Sequence, residues 1–88
     1  MSSREDEALA GREIPNDDTI QLGVREALAW DNRLRDTHIS VRVVNSVVTL
    51  TGQVATERQR VIAGELAEGV WGVGRVVNRL RLARRQAA

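Results

Sequence analysis

All thirteen basic residues of this 88-residue chain are arginines. A guanidinium grips a carboxylate or phosphate through paired N–H donors, which an ammonium cannot do, so the bias suits anion recognition as well as plain compositional drift. Groups that could do covalent or proton-transfer chemistry are scarce. His38 is the lone histidine, with Asp36 close by, and two such residues make neither a metal site nor a triad. Cys, Lys and Tyr are absent, which removes thiol nucleophiles, thiolate metal sites, Schiff-base lysines and tuned phenols. Most of the carboxylates fall in the N-terminal leader or on the outward faces of predicted helices, where solvation is their ordinary role. No catalytic, cofactor-binding or metal-binding residue is expected.

Binding is the remaining chemistry. Gly69-Val70-Trp71-Gly72 spells GxxG, the pattern with which KH loops clamp a nucleic-acid backbone. Here the interior is apolar and holds no basic residue, so a helix stop followed by a tight turn explains it. The predicted strands offer no aromatic residue for base stacking, and nonspecific phosphate contact is left as a minor alternative. The two tryptophans are the whole aromatic complement. Trp30 falls roughly 80° from the centre of its helix's apolar stripe, nearer Leu22 than the core. Trp71 sits at a loop tip. Both suit either the rim of the core or a membrane interface or partner pocket. If exposed, Leu22 and Trp30 with Arg25 and Arg33 form an apolar wedge flanked by cations, with Trp71 as a second contact.

The elements that must hold these residues follow from periodicity. Val41–Val54 reads VRVVNSVVTLTGQV, two alternating runs about Asn45-Ser46, which is a β-hairpin with strands at about 38–44 and 47–54. With that pair as the loop, Val43 faces Val48, Val41 faces Leu50 and Ile39 faces Gly52. A helix is predicted from Asp18, capped by Asp18 with Gln21 reaching back, with Ile20, Val24, Ala27 and Leu28 as its stripe. It ends near Asp31-Asn32, and Leu34 closes over the core. Thr56-x-x-Gln59 opens a second helix whose stripe is Ile62, Ala63, Leu66, Ala67 and Val70, stopped by Gly69 in the left-handed region. A last strand, Arg75–Leu82, puts Val76, Leu80 and Leu82 on one face and carries Asn78 on the same side, while Val77, Arg79 and Arg81 point the other way.

The order is α-β-β-α-β, an α+β fold with two helices packed on one face of a three-stranded mixed sheet in the order 1-2-3. The uncovered face then presents Arg42, Val44, Val47, Arg75, Val77, Arg79 and Arg81, a docking surface for an acidic partner or a second copy. Both sheet edges are open to pairing between chains. Residues 1–18 carry six acids and two arginines, whereas residues 19–88 carry eleven arginines and six acids, so an acidic leader precedes a basic body. Residues 1–16 read as a flexible arm, 17–83 as the domain and 84–88 as a frayed tail.

Asp17-x-x-Ile20, Ala27-Leu28, Asp31, VxVxNxVVTLxGxV at Val41–Val54, ERxxxxA at Glu57–Ala63 and GVxxVxNxLxL at Gly72–Leu82 together resemble the BON domain of bacterial osmotic-shock and nodulation-associated proteins. The similarity spans about residues 17–82. It departs at Ser46, where the family usually has Gly. The turn wants positive φ at both central positions, so Ser46 should cost up to ~1 kcal/mol or shift the turn type. The resemblance implies a non-catalytic module that binds phospholipid or membrane surfaces, or partner proteins, in envelope stress responses.

The reading that results is a stress-related binding module for anionic phospholipid, with protein interaction or self-association as the alternative. No apolar run approaches the ~20 residues of a membrane span. The N-terminus is acidic and lacks the apolar segment of a secretory signal. A complete chain is therefore expected in the cytoplasm, and a piece of a secreted precursor in the periplasm.

Overall fold

The computed structural model describes residues 15–83. Helix α1 (Asp17–Ala29) leads through a short 3-10 turn (Asn32–Leu34) into the hairpin of β1 (His38–Val44) and β2 (Val47–Val54). Helix α2 (Glu57–Glu68) follows, then β3 (Arg75–Asn78) and β4 (Arg81–Leu82). The expectations for residues 1–14 and 84–88 lie outside the described residues.

The hairpin forms in the expected register, Val43 against Val48, Val41 against Leu50 and Ile39 against Gly52. Asn45 and Ser46 both take positive φ, 52° and 66°, so the turn keeps the twist-matched geometry despite the serine. Asp17 answers part of that cost. Its two carboxylate oxygens accept from the N–H of Asn45 (2.8 Å) and of Ser46 (3.0 Å), tying the start of α1 to the hairpin tip.

β2 is central, antiparallel to β1 and parallel to β3 and β4. The sheet thus has four strands, because the single predicted strand 75–82 is split. Asn78 accounts for the interruption: its side-chain carbonyl accepts from the N–H of Leu80 (3.2 Å), while its amide donates to the carbonyl of Arg60 in α2 (2.8 Å). Leu80 is buried, whereas Leu82, on the same side at the end of the last strand, is exposed.

Both helices cover one face. Ile20, Val24 and Leu28 of α1 and Ile62, Ala63 and Ala67 of α2 pack with Leu34, Val43, Val48, Leu50, Val54 and Leu80 into one core. Leu66 and Val70 are partly buried against it. Each fully buried aliphatic side chain contributes about 1.5–3 kcal/mol, and this cluster dominates stability in so small a domain.

The helix ends correct four expectations. Asn16, not Asp18, caps α1, its side-chain oxygen accepting from the N–H of Thr19 (2.8 Å). Gln21 does not reach back; it accepts from the N–H of Val43 in β1 (3.1 Å), because Asn16 already serves the first turn. The helix stops at Ala29 with Trp30 as C-cap, short of Asp31-Asn32, since the Asp31 carboxylate caps the next turn instead. At α2 the capping box of Thr56 and Gln59 is present. Gly69 ends this helix in right-handed geometry (φ −80°), and the left-handed residue is Gly72 (φ 99°). A Cβ there would meet Pro15 and Ile20, so the close approach of the α1 start, together with φ, selects glycine.

Candidate ligand-binding surfaces

The uncovered side of the sheet is set by the parity of the hairpin and of the parallel pairing. Four rows cross it. Val44, Val47 and Arg75 form the row at the hairpin tip, and Arg42, Thr49 and Val77 the next. Ser40 and Thr51 follow, with Arg79 beside Thr51 by the constant offset of the parallel strands; His38, Gln53 and Arg81 complete the face. These twelve positions hold four arginines and no acid. Rows lie about 6.6 Å apart along a strand, and neighbouring strands about 4.8 Å apart.

All four arginines are exposed, and among the described residues none lies within ion-pair distance of a carboxylate. Val44 is 54% exposed, and Val47 and Val77 are half-buried beside it. The face is therefore a cationic strip with a small valine patch at the hairpin end. Thr49, Thr51 and Gln53 run down its middle, between Arg42 on one side and Arg75, Arg79 and Arg81 on the other.

The first helix presents a different surface. Trp30 is 83% exposed and Leu22 is also exposed, so the indole does not close the core. Arg25 lies beside Glu26 in sequence and lines a shallow groove with Leu28, Leu34, Arg35, Ile39 and Val41. Arg33 is already paired. Its Nε donates to Asp31 Oδ1 (2.9 Å), its Nη2 to Asp31 Oδ2 (2.6 Å), and its backbone N–H to Oδ1 (2.8 Å). The side-chain bond first, then the backbone bond, hold the Asp31 carboxyl at about 2, against an ordinary 3.8. Pairing with Asp31 likewise raises the Arg33 guanidinium above its usual value.

Trp71 is 64% exposed. Its loop returns to the hairpin tip, where the N–H of Gly74 donates to the carbonyl of Ser46 (2.8 Å). Trp30 caps the opposite end of α1, a helix of 13 residues and about 20 Å. Leu22 and Trp30 are thus both exposed on the first helix, as their wedge with Arg25 and Arg33 requires, and Trp71 stands apart from them at the other end of α1. The structure brings Trp71 instead to the end of the sheet that holds Val44, Val47 and Arg75. Among the described residues no group of three or more His, Cys, Asp and Glu side chains comes together as a cation would need. No described helix is long and apolar enough to cross a membrane.

This topology, with the hairpin motif and the closing GVxxVxN block in place, is that of a known module. A model of the BON domain family matches residues 16–84, and the chain belongs to that family. It is similar to osmotically-inducible protein Y of Escherichia coli (strain K12), with 36% identity over 67 residues. That alignment covers 76% of this chain but 33% of the relative, so the chain spans about a third of the length of the curated protein it matches.

Proposed function

We propose that this chain is a non-catalytic, stress-related binding module that docks on anionic phospholipid surfaces through the uncovered face of its sheet. The name of its osmotically inducible relative supports the stress setting. One observation carries the lipid reading: four exposed arginines on one flat face, with no acid among them. Basic residues near an anionic bilayer contribute about 1 kcal/mol each, so four supply about 4 kcal/mol, roughly a thousandfold in partitioning at low salt. The α1 surface supplies less, because Arg33 is paired with Asp31, which leaves Arg25 as the one wedge arginine unpaired among the described residues. Trp71 and the valine patch, at one end of the strip, have the chemistry of the headgroup boundary. The face lacks aromatic platforms for bases, which disfavours a single-stranded nucleic acid.

Co-sedimentation with phosphatidylglycerol and with phosphatidylcholine vesicles at two salt concentrations tests this reading. Binding is expected only to the anionic vesicles, weakening with salt. It should fall at least a hundredfold when Arg42, Arg75, Arg79 and Arg81 are changed to Gln, with folding unchanged. Equal binding of that variant, or loss with Trp30→Ala but not Trp71→Ala, would move the site to α1. A second reading, self-association, draws support from the outer edge of β1, which pairs with no other described strand along His38–Val44. Sedimentation equilibrium without lipid checks it.

A further inference from the structure

Among the described strands, β1 pairs on one side with β2 and is bare on the other. The turn decides which backbone groups lie on the bare side. A two-residue loop makes its flanking residues, Val44 and Val47, a hydrogen-bonded pair, so Arg42, Ser40 and His38 also spend their N–H and C=O groups on β2. Those of Val43, Val41 and Ile39 point outward. The bond from the Val43 N–H to Gln21 Oε1 (3.1 Å) lies on that side and fits the parity, so Gln21 closes the outer edge at Val43. Among the described residues no hydrogen bond reaches the N–H or C=O of Val41 and Ile39 from outside.

Strand β1 lacks the usual devices that blunt an edge. It is regular over seven residues, β-branched at Ile39, Val41, Val43 and Val44, and holds no Pro, Gly or Lys. On the opposite edge β3 and β4 are four and two residues long and broken after Asn78. A strand of this same fold therefore finds its longest continuous template in another β1. Ile39 and Val41 are half-buried and line a groove with Leu28 and Leu34, so an apolar side accompanies the free backbone groups.

The register follows from what is already taken. Antiparallel pairing of two β1 strands centred on Arg42 or on Val41 needs the Val43 N–H that Gln21 holds. The Arg42 register also sets two guanidiniums face to face. Centred on Ile39, the pairing carries Val41 past the start of the other strand at His38. Centred on Ser40, Ile39 meets Val41 of the second copy and Val41 meets its Ile39, each exchanging both bonds, while Gln21 keeps Val43. We propose that two copies of this chain pair β1 to β1 about a two-fold axis at Ser40, with Gln21 fixing the register. This deepens the self-association reading above and rests on it. The axis stands perpendicular to the sheet, so both pairs of helices lie on one side and both arginine strips on the other, doubling the cationic surface.

The absence of cysteine allows the register to be read by crosslinking of full chains under oxidised glutathione, with folding checked by circular dichroism. Ser40 is exposed and faces its own copy at a Cα separation of about 4.5 Å, which a disulfide spans. Ser40→Cys should dimerise at least about tenfold faster than Thr51→Cys, an exposed control on the same face one strand inward. His38→Cys and Arg42→Cys chains should each crosslink poorly alone and readily when mixed. Adding Gln21→Ala frees the Val43 N–H, and linkage between Ser40→Cys and Arg42→Cys chains should then appear. An unchanged pattern in that background overturns the role of Gln21. Ser40→Cys linking no faster than Thr51→Cys overturns the pairing. Sedimentation equilibrium of the unaltered chain separates the two failures: association without Ser40 linkage leaves self-association standing and removes this interface, whereas a monomer at every concentration sinks both.

Discussion

The two sides of the central strand invite comparison, because β2 contributes alternately to both. Val48, Leu50 and Val54 point under the helices and are almost wholly buried. Val47, Thr49, Thr51 and Gln53 point the other way and are half-buried or exposed. One side carries the stability of the domain in aliphatic contacts. The other carries charge that the fold does not pair, since none of its arginines lies within ion-pair distance of a described carboxylate, while Arg33 and Arg60 on the helical side are paired with Asp31 and Glu57. Stability and unpaired charge are thus written on alternate residues of the same few strands.

The sharpest way to break this division is a truncation at adjacent positions. Leu50→Ala leaves a cavity in the core and should cost about 3 kcal/mol or more. Thr49→Ala, one residue away on the other face, should stay within about 0.5 kcal/mol. Urea unfolding of the two variants checks the contrast, and equal losses would mean that the open face is also structural.

Next in size is Gly52→Ala. Gly52 has φ 118°, and a Cβ there would sit 1.9 Å from the carbonyl oxygen of His38. Backbone, not a movable side-chain end, is what it meets, so β1 and β2 must separate at the Ile39–Gly52 pair. A loss of about 2–3 kcal/mol in thermal or urea unfolding is expected.

Smaller is the effect of Ser46→Gly. Ser46 holds a left-handed backbone that L residues adopt at a cost of about 1 kcal/mol, so glycine should raise stability by up to that amount in the same unfolding assay. The sequence already marks this position as the weak spot of the hairpin. What it does not show is that Asp17, 28 and 29 residues from the turn, supports Asn45 and Ser46.

That contrast describes what was legible. Hairpin register, the Thr56–Gln59 box and the core stripe are local patterns, readable from spacing alone. Gln21 and Asp17 were misassigned or missed because polar side chains near a helix start can serve their own helix or a strand brought close by the fold, and only tertiary packing decides. The arginine strip was readable from strand parity, since every second residue must face away from the helices. The exposure of Trp30 and Trp71 was not, because a residue at the rim of a stripe is covered or bare according to the path of loops. Arg33 carried a signal that could have been used: Asp31-x-Arg33 is the spacing at which an aspartate caps its own turn and meets the next cation.

The paired arginine on the helical side gives the finest test of the comparison. With the Asp31 carboxyl held at about 2 instead of 3.8, the folded state binds this proton more weakly than the unfolded chain does. The stabilisation from Asp31 is therefore complete above about pH 4, declines as pH falls toward 2, and is absent below. Asp31→Asn should remove that part of the acid slope of unfolding free energy while leaving the part due to other carboxylates. Changing the open-face arginines to Gln should leave the slope between pH 4 and 2 as it is in the unaltered chain, because no described carboxylate is bound to them. A flattening of that slope in the arginine variant would show that acids do neutralise the open face in the folded chain.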